Sequence, residues 1–440
     1  MNDDPLTPGG AAAPRAADPA ADERPNRDRI FSTIVRRAGT GLTRAALAAH
    51  TGLSPRTIDA ALSALRAHGL IRDGEQTGGR SAVGRRPTAI RVNPGDNYVI
   101  GVEILGDAVG GVLANLAGEP VGERLTDTLP AAAGHVAPDA VVEKVRDLVD
   151  KLELQAPPGD DGPGRVLGVG VGIGGHVTPA GDVRYSVNMG WGRGLAHPPV
   201  PLRQRLRDAT RKPVAVDNDA NTLAEAQRWF GAGRDLDTFQ LVLVSLDGIG
   251  AAYVAGGELV RGAAGRSNEL GHLVVDPRGR RCRCRNHGCL EAHGTAAAII
   301  AACGGAGDAP LAAALAALRV RADGDAAVAA AFTDAGHAMG RALASLINVN
   351  DPGHVIFIGD AVTEENGQRV LYDRRYHDAM WAAVSAHAFA ERPAERSFIV
   401  VEDSQHWVGP RGAAALAIRD VINNPALVRP PSRPAVHRAS

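Results

Sequence analysis

Three of the chain's four cysteines, Cys282, Cys284 and Cys289, fall within eight residues. No other feature restricts the fold as much, because a segment that crowded must either form a disulfide knot or wrap a metal. With no export signal in the sequence, metal ligation is the expectation. Zinc takes four thiolate or imidazole ligands in a tetrahedron. Cys282 and Cys284 flank one residue, and Cys289 returns after a Gly-containing turn. His272 is one candidate for the fourth ligand and His287 competes with it. Four such ligands leave no open position, so the metal is read as structural. Cys303 stands in an Ala/Gly setting and reads as a small inert hydrophobe.

At 440 residues the chain is too long for one ordinary core. It contains no apolar run long enough to span a bilayer. The start, Met1-Asn2-Asp3-Asp4-Pro5, is acidic and polar rather than basic and then apolar, so a cytoplasmic protein without membrane partners is expected. The net charge of −1 hides an asymmetry: Arg24 to Arg91 holds thirteen Arg, no Lys and four acids, a net of +9, which leaves −10 for the rest. A basic module on an acidic body is the pattern of a nucleic-acid-binding arm.

Residues 1–25 are Ala, Pro, Asp and Gly with little to bury and are expected to be a disordered tail, as are 425–440. Between Asn26 and Ala38, Ile30, Phe31, Ile34 and Val35 share one helical face. Thr43 is placed to cap a short helix, and Thr51-Gly52-Leu53 makes a turn. Ser54 then N-caps a helix with Pro55 at its first position and Ile58, Leu62 and Leu65 as its stripe. Two short strands follow, at Leu70–Arg72 and Thr88–Val92, around an Arg- and Gly-rich hairpin. Residues 26–93 thus predict a winged helix-turn-helix. Ser54, Arg56 and Thr57 open the probable recognition helix, and Arg80, Arg85 and Arg86 lie on the wing, where contacts to phosphates or the minor groove give affinity without sequence information. A plain helical dimerisation module with a basic surface is the blander alternative.

After Pro94-Gly95 the pattern turns to strands and helices. Tyr98–Ile104, Val109–Ala114 and Val166–Ile173 are strands, with a long helix around Ala140–Leu154. The scheme then recurs at Phe239–Ser245, Gly250–Val254 and Val355–Gly359. That repetition predicts a two-lobed α/β sensor domain over 97–424, with lobe 1 at about 97–214 plus 405–424, lobe 2 at about 215–404, and a ligand in the cleft. Asn218-Asp219-Ala220-Asn221 follows a probable strand, and its side chains fit ordinary Asx turns and N-caps. Together with Glu269, His272 and Glu291, however, they offer many acceptors and few apolar atoms, which suits a polyhydroxylated ligand.

These residues resemble the ROK family (repressors, open reading frames and sugar kinases), specifically its regulators of the xylose, glucose and N-acetylglucosamine repressor type. The resemblance is carried by Glu269-Leu270-Gly271-His272, by Cys282-x-Cys284-x-x-x-x-Cys289-x-Glu291, by Asn218-Asp219-Ala220-Asn221 and by the winged helix in front. It implies an actin-like, ribonuclease-H-like fold of two lobes and a zinc ion held by His272, Cys282, Cys284 and Cys289. It also implies a sugar contacted by Asn188, Asn218, Asp219, Glu269, His272 and Glu291, with Asp219 at the position of the kinases' general base.

The departures from that family's kinases carry as much information. Their first phosphate loop, Asp-x-Gly-Gly-Thr, reads Glu103-Ile104-Leu105-Gly106-Asp107 here. Their second, Gly-Thr-Gly-x-Gly-Gly-Gly, reads Leu246-Asp247-Gly248-Ile249-Gly250-Ala251-Ala252, and the late Gly-Gly-x reads Gly359-Asp360-Ala361. Carboxylates at Asp107 and Asp247 replace groups that would meet phosphate oxygens. The expectation is a sugar-responsive, DNA-binding regulator of carbohydrate metabolism, a repressor rather than an enzyme, with no bound ATP. It would act as a homodimer or homotetramer on inverted-repeat operator DNA. The rivals are an active sugar kinase with a DNA-binding head, and a regulator answering to a partner protein.

Overall fold

The computed structural model describes residues 19–36, 41–76, 88–93, 95, 97–132, 134–158, 164–192, 198–365, 368–389, 398–400 and 408–423. The first helix is Pro19–Arg36, so it starts inside the stretch 1–25 expected to be a tail. Its later turns bury Ile30, Phe31, Ile34 and Val35. The expected tail residues 1–18 and 425–440 lie outside the described residues.

Capping decides the next two helices locally. Thr43 accepts from the Ala46 N–H at 3.2 Å to start Arg44–Thr51, which Gly52 ends at φ 66°. Ser54 accepts from the Thr57 N–H at 3.2 Å to start Pro55–Ala67, whose buried stripe holds Ile58, Leu62 and Leu65. Ile71–Gln76 and Thr88–Val92 pair antiparallel. Arg80, Arg85 and Arg86 of the wing lie outside the described residues.

The body is built from two five-stranded sheets of one design. The first runs, edge to edge, Val214–Asn218, Arg165–Ile173, Asn97–Ile104, Ala108–Asn115 and Pro120–Thr128. The second runs Phe398–Val400, Val355–Ile358, Phe239–Val244, Ile249–Ala255 and Glu258–Val260. In each, two hairpins supply the antiparallel half and two crossovers add parallel strands. This doubled sheet is the actin-like, ribonuclease-H-like architecture. The first sheet reaches Asn218 rather than stopping before 215, because Val214–Asn218 pairs residue by residue with Val169–Ile173. The expected lobe boundary therefore moves to the helix that follows, Asp219–Phe230, called the cleft helix below.

A closing helix, Val408–Asn423, returns to the first sheet. It lies so close that a Cβ at Gly101 would sit 1.8 Å from the Pro410 carbonyl oxygen, and one at Gly170 would sit 1.7 Å from that of Ala413. The Gly-rich strand read in the sequence is the seat of this helix. The N-terminal helical head does not close its own core. Ile30, Phe31, Ile34 and Leu62 belong to one buried cluster with Val99 and Leu167 of the first sheet, Trp229 of the cleft helix and Ile418 of the closing helix. The Phe31 and Trp229 rings stand 6.5 Å apart at 52°.

One buried ion cluster fixes the cleft helix from the side. Glu225 accepts from Arg228 Nε at 2.8 Å, from Trp229 Nε1 at 3.1 Å and from Arg419 of the closing helix at 2.7 Å. Arg261, 3.6 Å from Glu225, also donates to Asp217 at 2.7 Å. Burial alone would raise the Glu225 carboxyl; the guanidiniums of Arg228, Arg419 and Arg261 overcome that and hold it at about 2.

Candidate functional site

The cysteine loop folds back on itself as a short ribbon. Leu290 N–H donates to the Leu273 carbonyl at 2.9 Å, and Val274 bridges Cys289. Gly288 turns the chain at φ 73°, and a Cβ there would meet the Asp276 carbonyl oxygen at 1.6 Å. This return brings His272, at the end of the single turn Leu270–His272, against the cysteines. One ligand atom from each of His272, Cys282, Cys284 and Cys289 lies within 4.8 Å of the others. Cys282 Sγ is 3.9 Å from His272 Nδ1, and Cys284 Sγ is 3.6 Å from Cys289 Sγ. A tetrahedron of ~2.3 Å metal–sulfur bonds has edges of roughly 3.8 Å, so the four side chains could hold a metal ion with little rearrangement. Burial raises the Cys289 thiol to about 12, with Cys284 and Cys282 adding to the rise, so in the absence of a cation Cys289 keeps its proton. His287 takes no part: it is exposed, and its Nδ1 faces the Gly279 carbonyl at 3.4 Å.

Beside this cluster the polar residues of the two lobes converge. Within the second lobe Glu291 ties the cysteine cluster to the strand Ile249–Ala255: Oε1 accepts from the Ile249 N–H at 3.2 Å, while Oε2 lies 3.9 Å from both His272 Nδ1 and Cys282 Sγ. Burial raises the Glu269 carboxyl, with His272 and His176 opposing and Glu291 adding to the rise. Burial also raises Asp219, and the nearby Glu269 charge raises it further. Gly174 forms the floor between two of these groups. A Cβ there would come within 3.0 Å of Asp219 Oδ2 and 3.1 Å of Asn188 Nδ2, so the missing side chain keeps open the space that both face. Asn218 is more committed than the sequence implied. Its Oδ1 caps the cleft helix at Ala220 and Asn221, and its Nδ2 donates to the Gly175 carbonyl at 2.8 Å.

Sequence reasoning missed His176, whose Nε2 lies 2.8 Å from the Ala264 carbonyl oxygen and ties the two lobes together. It also missed Arg261 and Glu225. No local signal marks any of them, since their partners lie far away in the chain.

A family model described as the ROK family matches residues 99–420. The chain belongs to the ROK family. The xylose repressor of Bacillus subtilis (strain 168) is 25% identical over 284 residues, covering 64% of this chain and 69% of that protein. Among solved structures, a ROK family transcriptional regulator, described as a homolog of the Escherichia coli MLC protein, superposes with a TM-score of 0.68 at 21% identity. That match covers 92% of this chain and 99% of the other. The ROK hexokinase of Thermus thermophilus matches with a TM-score of 0.57 at 26% identity, over 74% of this chain and 99% of the other. The longer of the two structural matches is the regulator, which covers 92% of this chain against 74% for the hexokinase.

Against the ROK kinases, both altered loops are turns between hairpin strands. Leu105 N–H donates to the Ala108 carbonyl across an exposed Asp107. Ser245 N–H donates to the Gly248 carbonyl, and Asp247 of that turn accepts from Arg283 Nη1 at 2.9 Å. In the N-terminal head, Arg56 is exposed at the start of Pro55–Ala67, whereas the Ser54 and Thr57 hydroxyls face each other at 2.9 Å. Among the described residues no helix is long and apolar enough to cross a membrane.

Proposed function

We propose that this ROK protein is a sugar-responsive, DNA-binding repressor whose kinase-like domain senses rather than phosphorylates. One observation carries the reading: the cleft helix has the ligand-facing residues at one end and the DNA-binding head at the other. Asn218 and Asp219 open it, and Trp229 closes it against Phe31 of the first helix. A ligand that draws Asp219, Glu269 and Glu291 together moves one rigid rod, and the head rides on the rod's far end.

The residue roles follow from chemistry. Asp219, Glu269 and Glu291 accept hydroxyl protons, while Asn188 and the second nitrogen of His272 add donors or acceptors. Zinc in the His272, Cys282, Cys284 and Cys289 cluster is structural. It fixes the loop on which His272 and Glu291 stand and sets the histidine tautomer. Asp219 occupies the kinase base position without a phosphate donor beside it, because Asp107 and Asp247 stand where an incoming nucleotide's phosphates would be repelled. The head binds operator DNA as part of a homodimer or homotetramer, with Arg56 and Thr57 toward base edges and Arg80, Arg85 and Arg86 toward the backbone.

The test is a calorimetric titration with a panel of pentoses, hexoses and N-acetylhexosamines and, separately, with ATP and Mg²⁺, alongside operator binding with and without each sugar. At least one sugar binds and weakens operator affinity by about fivefold or more, and ATP gives no heat. Asp219→Asn abolishes the sugar response while metal content and operator binding persist. Phosphorylated sugar accumulating with turnover would replace this reading with the kinase one. A regulator deaf to every sugar would point to a partner protein.

A further inference from the structure

We infer that the effector is an acidic sugar, one whose anionic group (phosphoryl or carboxylate) projects into an arginine-lined cavity at the mouth of the cleft. This rests on the sensor reading above and adds the chemical class of its ligand. A cavity of about 900 Å³ opens between the lobes, with Arg184 from one wall and Arg266, Arg283 and Arg285 from the other. Among the described residues no Asp or Glu lines it. Arg283 is answered by Asp247 at 2.9 Å, but Arg184, Arg266 and Arg285 have no hydrogen-bonding or ionic partner among the described residues.

Three exposed guanidiniums line this one cavity with no counter-charge among the described residues, and a cleft with protein walls focuses their field more than an open surface would. The cavity adjoins the polar floor. Ser186, in its lining, donates to the Gly174 carbonyl at 2.6 Å, and Gly174 is the residue that Asn188 and Asp219 flank. His176, also in its lining, stands close enough to Glu269 to act on that carboxylate's charge.

The cleft is therefore bipolar, with carboxylates Asp219, Glu269 and Glu291 on the floor and arginines at the mouth. A neutral sugar answers only the floor. An anion bound on the floor would be repelled by three carboxylates. A sugar carrying a phosphoryl or carboxylate group satisfies both ends and can enter in one orientation only, hydroxyls inward and anion outward. Planar guanidiniums hold either anion by paired N–H donors.

The experiment titrates the full-length, metal-loaded protein with matched ligands. Glucose and N-acetylglucosamine are compared with glucose 1-phosphate, glucose 6-phosphate, glucuronate and N-acetylglucosamine 6-phosphate, and inorganic phosphate serves as the charge control. At least one acidic sugar binds about tenfold or more tightly than its neutral parent, the range expected of hydrogen bonds to charged groups. In Arg184→Gln/Arg266→Gln that ratio falls toward one, while metal content and melting temperature show that the fold persists. In the unaltered protein, affinity for the acidic sugar falls with added salt and affinity for the neutral parent does not. The phosphate and carboxylate arms tell which anion the cavity prefers. Neutral parents binding as tightly as their acidic forms would overturn this inference and leave the sensor reading intact. Inorganic phosphate binding as tightly as any sugar phosphate would overturn it as well, since the cavity would then select an ion and not a sugar. Failure of every sugar, neutral or acidic, would bring down the sensor reading and this inference with it.

Discussion

Replacing Glu225 by Gln keeps the shape of the cleft helix but removes the one anion that Arg228, Arg419 and Arg261 share. Glu225 and Arg228 are each only 2% exposed, so water cannot take the carboxylate's place. The carboxyl sits at about 2 against an ordinary 4.5, and each tenfold change in proton affinity is ~1.4 kcal/mol, so its ionisation contributes about 3 kcal/mol at neutral pH. Losing one partner of a buried ion cluster independently suggests roughly 3–5 kcal/mol. For a body of this size that lowers the melting temperature by about 10 °C.

The pH dependence has a definite sign. The folded carboxyl is the stronger acid, so its contribution is complete above the ordinary value of 4.5 and is lost as pH falls toward 2. Urea unfolding followed by Trp fluorescence, with Trp229 beside the cluster as the local reporter, compares Glu225→Gln with the unaltered chain. The gap is about 3 kcal/mol at pH 7 and narrows to about 1 kcal/mol at pH 3. A gap below about 1 kcal/mol at pH 7, or one that does not change with pH, would refute the argument that the three arginines are held in place by this carboxylate.

Two further changes test the parts on either side of that helix. Cys284→Ala removes one of four clustered ligands, so metal measured by elemental analysis drops from close to one equivalent to well below half, and protease sensitivity rises between Leu273 and Leu290. Phe31→Ala empties a fully buried site shared by the head and the cleft helix; it costs about 3–5 kcal/mol in the head's unfolding, and sugar no longer shifts operator affinity although calorimetry still finds the sugar bound.

Much of the molecule follows from short-range chemistry that is visible in the sequence. Thr43 and Ser54 cap helices through hydrogen bonds to residues three positions on, so their neighbours alone announce them. The repeated strand pattern on either side of the cleft helix reflects two sheets of the same order, each obeying a period-two alternation or a continuous apolar run. The His/Cys cluster that could hold a metal ion is confined to the stretch from His272 to Cys289, and three cysteines in eight residues already mark it in the sequence. Sequence spacing did not choose between His272 and His287; the ribbon that pairs Val274 with Cys289 did, by carrying one histidine inward and leaving the other exposed.

Packing alone decided the rest. Helix Pro19–Arg36 starts before its apolar face does. The head shares its core with Leu167 and Ile418, which no linker composition reveals. Arg419 meets Glu225 across 194 residues, and Arg261 meets Asp217 across 44. Arg184, Arg266 and Arg285 are ordinary surface arginines in the sequence of an Arg-rich chain and line one cavity only when the lobes face each other. Capping and metal spacing act within a few residues and are written in order along the chain. Charge pairing and cavity shape depend on distances that exist only after both sheets have folded and the closing helix has docked on the first sheet and the cleft helix.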